Sequence, residues 1–262
     1  MRPNAVPTQA HDEGADSCAL GDLRFRALLA EADWYELPLP IRRRFSKRLA
    51  DGETAVYVGE ILETRFSRAG WLLAQLLRLI GAPLPTASDS GVPSVVTVTE
   101  EMATGGQIWT RLYARRRSFP QVVHSSKRFA GRTGLEEYVG YGVGMALKLE
   151  VEDGASQHFP PRWTPARRRK CHHRKESRAH SATGLSESDA ICTECALVFR
   201  SEGYFFAGFK RRFFLPIWAT PGALSVTHAE IGDGRFLFIL EIVHPRFGLL
   251  VRQSAAFREC QS

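Results

Sequence analysis

The chain has 262 residues, 44% of them apolar, and a formal net charge of +7. That length and apolar content support one large or two small cored domains and exclude wholesale disorder. The five cysteines, odd in number and irregularly spaced, exclude a secreted disulfide framework, and no apolar run reaches the roughly 20 residues of a membrane span.

Residues 1–20 read as a flexible tail, and with no apolar leader there the expected location is cytoplasmic. "GDLRFRALLAEADWYELP" sets Leu23, Leu28, Leu29 and Trp34 at helical spacing. "PIRRRFSKRLADG" predicts a second short helix, starting at a proline and closing at Gly52. "TAVYVGEILETRF" predicts a strand. "SRAGWLLAQLLRLIGAPLP" is the clearest helix, with Ser67 as N-cap and Trp71, Leu72, Leu76, Leu79 and Ile80 on one apolar stripe.

From residue 93 the period switches to two. About nine short strands follow without intervening helices, separated by Gly, Pro, Asp or Ser. Asp233-Gly234 marks one hairpin turn. The expected fold is α+β: N-terminal helices packed on a strongly curved antiparallel β-meander or barrel. Residues 21–262 then form a single domain.

One segment breaks the pattern. Joining "LKLEVEDG" directly to "ALVFRSEGYFF" gives a hairpin around Asp153-Gly154, so residues 155–195 read as a disordered basic insertion. It carries eight Lys or Arg against four acids, and therefore supplies +4 of the chain's +7. It also holds Cys171, His173, Cys192 and Cys195, soft ligands that could hold zinc. The set is an incomplete signature, since Cys171 and the two histidines after it are contiguous, and the cofactor expectation is none. The run "ARRRKCHHRK" could touch phosphates nonspecifically, but such runs are usually solvated loops, and nucleic acid is not the expected partner.

No dinucleotide fingerprint, P-loop or nucleophile elbow occurs, and no independent catalytic activity is expected. Two features suggest binding. In "GQIWTRLYARRRSF", Trp109, Arg111 and Tyr113 share one strand face, an expensive place for an arginine unless it is ion-paired, for instance to Glu137, or meets an anionic ligand. In "GYFFAGFKRRFFLPIWATPG", the aromatic residues, Trp218 among them, suit a barrel mouth, a lid, a membrane-facing loop or a core corner. The candidate site is therefore Trp109, Arg111, Tyr113, Glu137 and Trp218, around a small apolar or amphipathic ligand.

The ordered series "LPLPIRRRFS", "AVYVGEI", "GQIWTRLYARRRSF", "LPIWATPGALSVTHAEIGDGRFLFILEIVHPRFGLLVRQ" resembles the DUF4166 family, a domain of unknown function. Its marks are the strand of Trp109, Arg111 and Tyr113, the Asp233–Phe236 turn and the closing "HPRFGLLVRQ". The family's Glu-Arg pair reads Glu137-Tyr138 here. Members resembling it occur alone or behind a saccharopine-dehydrogenase-like NAD(P)-binding domain, which is not expected in this chain. The resemblance thus implies, as an alternative to ligand binding, an accessory role beside a separate NAD(P)-dependent reductase. A zinc- or nucleic-acid-contacting adaptor acting through 155–195 is the other alternative.

Overall fold

The computed structural model describes residues 22–49, 52–79, 81, 84, 86, 88–131, 134–140, 142–153, 195–208 and 211–260. The expected tail at 1–20 and the expected insertion up to residue 194 lie outside them, and so do Cys171, His173 and Cys192.

Eleven antiparallel strands form one sheet. In chain order they are β1 (Thr54–Phe66), β2 (Val92–Glu101), β3 (Gly106–Tyr113), β4 (Gln121–Ala130), β5 (Gly134–Val139), β6 (Val143–Asp153), β7 (Cys195–Gly208), β8 (Arg211–Phe214), β9 (Ala223–Gly232), β10 (Arg235–His244) and β11 (Gly248–Glu259). The sheet runs β1 to β6 in sequence, β6 pairs with β7, and β7 continues through β9, β10 and β11 back to β1. All strands except β8 thus belong to a closed ring. The count exceeds the expected nine for two reasons. The strand at 54–66, expected as a strand but not counted with the nine after residue 93, enters the ring between β2 and β11, and β8 is a short extra strand on β7.

Period-two alternation explains which side chains face inward. In β2, Val92, Ser94, Val96 and Val98 are buried, and in β6 Met145, Leu147 and Leu149 are. Asp233 and Gly234 both have positive φ, 54° and 66°, as a two-residue hairpin turn between β9 and β10 requires. Across β6 and β7, Glu152 pairs with Ala196 and Asp153 with Cys195, so the two strands flanking residues 154–194 are in hairpin register.

The two ends of the ring are filled differently. The expected first helix is a 3-10 turn (Arg26–Leu28) followed by α1 (Glu31–Glu36), which ends before Pro38. The expected second helix is α2 (Leu39–Ser46), with Pro40 in its first turn and its end at Ser46 rather than Gly52. Phe25, Trp34, Leu37, Ile41 and Phe45 from this segment are buried in the same core as the strands. Phe45 lies 5.5 Å from Phe199 and 5.1 Å from His228, ring centre to ring centre, and Phe25 lies 5.0 Å from Phe129. These rings plug the ring end that carries the β9–β10 turn.

The third helix, α3 (Arg68–Leu79), sits at the other end against β11 and β1. Ser67 caps it as expected: its Oγ accepts from the Gly70 amide at 3.1 Å. The expected buried stripe is overturned. Trp71, Leu72, Leu76 and Leu79 are exposed, Ile80 is outside the described residues, and the buried face consists of Gly70 and Ala74. The reason is close approach: a Cβ on Gly70 would stand 1.9 Å from the Leu250 carbonyl oxygen. Small residues let the helix lie flat on β11, and the large residues of the stripe stay accessible to solvent. Gly70→Ala should therefore lower stability by about 1–3 kcal/mol despite the better helix propensity of alanine. Urea denaturation checks this, and an unchanged midpoint would contradict the close packing.

Candidate functional site

Where α3 covers the ring, the interior stays open. A cavity of about 550 Å³ lies there, within the usual range for small-ligand pockets. Its walls are aliphatic: Leu73 and Leu77 from α3, Val123, Val139, Met145, Val226, Leu240 and Ile242 from the strands. The ring splits beside it. β9 pairs with β7 only over Ala196–Arg200, while further along β7 pairs with β8 instead. Leu215 and Trp218, from the segment connecting β8 to β9, close part of that gap.

Arg111, Ser125 and Glu137 line the cavity from neighbouring strands, and Lys127, outside the lining, joins them. Lys127 on β4 stands directly opposite Glu137 on β5, and Trp109 on β3 opposite Ser125 on β4. The Lys127 ammonium lies 2.8 Å from one Glu137 oxygen. Ser125 donates its hydroxyl hydrogen to the other oxygen at 2.6 Å. Arg111 donates to Ser125 Oγ at 3.3 Å and stays 3.9 Å from the Glu137 carboxylate. All these side chains are largely removed from water. Burial opposes the Glu137 carboxylate, but Lys127, Arg111 and the Ser125 hydrogen bond outweigh it and hold the carboxyl below its ordinary range. Burial, with the charge of Arg111, moves Lys127 down against the pull of Glu137. The cluster holds two cations and one carboxylate. Lys127 neutralises Glu137, and Arg111 is the cation left over.

Of the residues expected to form the site, Arg111, Tyr113, Glu137 and Trp218 line this cavity. Trp109 does not. Its ring stacks on Phe45 at 6.5 Å, on the plugged side, and its indole nitrogen donates to Gln107 at 3.1 Å. Lys127, Ser125 and the α3 leucines complete the arrangement and were not among the expected residues. Lys127 carried a signal, because Val123, Ser125, Lys127 and Phe129 alternate on one face of β4. Its partner could be found only from the β4–β5 register.

On the plugged side lies a second set of buried polar groups. Arg44 reaches within 3.7 Å of Glu230 and stacks over Phe236, 3.5 Å from its centre. His228 sits among Phe45, Phe199 and Phe238. Burial, then the charges of Arg44, Lys127 and Arg111, hold its imidazole well below the ordinary value, so it is neutral at pH 7.

Cys195, the one proposed zinc ligand among the described residues, is the buried first residue of β7. No cluster of three or more His, Cys, Asp or Glu suited to a metal occurs among the described residues. No helix among them is long and apolar enough to cross a membrane.

The fold and site define a class: a closed antiparallel β ring, plugged by aromatic residues at one end and holding an apolar cavity with one surplus cation at the other. The family model for the domain of unknown function DUF4166 matches residues 37–171 and 189–257, and the chain belongs to that family. The segment expected to be foreign to the family, 155–195, is wider than the stretch left between these matches, 172–188. No curated protein and no solved structure matches the chain.

Two outcomes follow from the buried charges. Glu137→Gln leaves Lys127 and Arg111 close together without a carboxylate and should cost about 3–5 kcal/mol in urea denaturation at neutral pH. His228 acts through pH. The unfolded chain takes up a proton near pH 6.5 that the folded chain refuses, so stability declines as pH falls below that value, by at most about 1.4 kcal/mol per unit. His228→Leu should flatten the decline between about pH 7 and pH 5. Equal slopes in the two proteins would show that His228 is not the group responsible.

Proposed function

We propose that this domain binds one small amphipathic molecule in the cavity of the ring, with an apolar body and an anionic head. The observation that carries the reading is the surplus charge. Glu137 is satisfied by Lys127 at 2.8 Å and by Ser125, while Arg111, farther away at 3.9 Å, lines the cavity. A structural ion pair would have needed one cation; the second is available to a ligand carboxylate or phosphate. The aliphatic walls suit an acyl or terpenoid body better than a sugar or nucleotide, whose polar groups would find few partners there.

A fluorescent long-chain carboxylate and its methyl ester test the proposal. The acid should bind more tightly than the ester. Arg111→Leu should weaken the acid by about 1.5–3 kcal/mol, roughly 10- to 150-fold, and abolish its advantage. Because Lys127 still holds Glu137, the same variant should stay folded. If the ester binds wild type as well as the acid, or if Arg111→Leu unfolds the protein, the anchoring role is wrong.

A further inference from the structure

The cavity end of the molecule presents an unusual surface. Among the described residues, all the exposed large hydrophobic side chains lie on α3 or at 112–122, 206–218 and 243–249, apart from Leu23, Tyr35, Leu39 and Met102. These segments meet at the cavity end, because Leu72, Leu76, Leu215, Trp218 and Phe247 line the cavity and yet are open to solvent. Ile217 is 77% exposed, Trp218 83% and Trp71 55%. A solvated surface rarely carries so large a concentration of aromatic and aliphatic groups without a binding partner.

The charges at that end share one sign. The connections there are 67–91, 114–120, 140–142, 209–222 and 245–247. Among the described residues within them Asp89 is the single acid, against eight arginines that include "RRR" at 115–117 and Arg211 and Arg212. Arg212 is ion-paired to Glu136, and Arg116 donates to the Ser90 carbonyl, which leaves its charge uncompensated. The described residues that flank the basic 155–194 segment lie elsewhere. These flanks, Asp153 and Cys195, pair at the opposite end of the ring.

We infer that the cavity end docks on the surface of an anionic lipid bilayer, with α3 and the Ile217–Trp218 turn entering the interface and the arginines meeting the headgroups. Apolar side chains ringed by cations, with Asp89 the single acid among the described residues of the connections, are what such a surface selects: the apolar groups partition into the acyl boundary, and each unpaired cation adds attraction to anionic lipid. A soluble protein partner would more commonly require interspersed charges of both signs. The docking goes beyond the ligand reading; part of its surface also lines the cavity, but Trp71 and Ile217, which carry its test, do not.

Flotation of the full chain with vesicles tests this, using phosphatidylcholine alone and phosphatidylcholine mixed with phosphatidylglycerol. Binding should appear on the mixed vesicles, weaken with salt and shift tryptophan emission to the blue. The double variant Trp71→Ser, Ile217→Ser, whose residues do not line the cavity, should lose at least about tenfold in partitioning. Arg167, Arg168 and Arg169 changed together to serine should leave binding largely intact. Binding lost in the 167–169 variant but kept in the Trp71/Ile217 variant would assign it to the basic segment and overturn the inference, as would no binding to mixed vesicles. Arg111→Leu separates the two proposals: its carboxylate affinity should fall while its vesicle binding persists.

Discussion

The pairing of β6 with β7 is the contact on which the rest depends. It joins two runs of strands, β1 to β6 and β7 to β11, whose other ends are already joined by β1 and β11. Closure leaves free sheet edges only where the ring splits beside β8 and encloses a volume. A closed ring of about eight strands is just filled by its own side chains; this one has two more, so its interior needs other filling. Phe25, Phe45 and their neighbours supply it at one end only. The cavity at the other end is thus a consequence of strand number and of how short the N-terminal helical segment is.

The buried charges lie where plug and cavity meet. Arg44 and Glu230 belong to the plugged side, Lys127 and Glu137 to the boundary, and Arg111 to the cavity. Three cations and two carboxylates in one interior would be unstable if all were equally enclosed. The gradient of enclosure resolves this. Lys127 and Glu137, both deeply buried, are paired closely across adjacent strands. Arg111 is the least enclosed of the three cations, with 13% of its side-chain surface still accessible against 6–7% for Lys127 and Arg44. It also rests near the faces of Trp109 and Phe238, 5.8 and 6.0 Å from their centres.

Much of the ring was legible from alternation alone, because strands with one face on a core repeat every two residues. Arg111 stood out for the same reason, as a charge on the inward face between two aromatics. Closure was legible only as one alternative, a barrel beside an open curved meander, since it depends on which distant strands pair. Lys127 was hidden for a related reason: its meaning comes from Glu137 across the β4–β5 register. The α3 reading failed on a different assumption. An apolar stripe is taken to mark the buried face, yet Gly70 and Ala74 took that role because only small residues fit against the Leu250 carbonyl. Trp71, Leu72, Leu76 and Leu79 were then free to serve the surface. The failure falls where local pattern and packing disagree, and such places are commonly functional.

The cavity also bears on stability. Core voids created by truncation cost about 24 cal/mol per Å³, which for 550 Å³ would be about 13 kcal/mol, as much as the entire stability of an ordinary domain. A sealed, empty space of this size is therefore not sustainable. The exposed lining residues Leu72, Leu76 and Phe247 show how the cost is avoided: the space communicates with solvent, so it is not a void in that sense. What remains is a wet apolar lining, which an apolar ligand body would dry. A matching occupant then stabilises the fold in proportion to its affinity, because it binds only the closed ring. For the proposed ligand, the open end, the aliphatic wall and the surplus arginine would then be parts of one balance, in which filling the cavity also strengthens the ring.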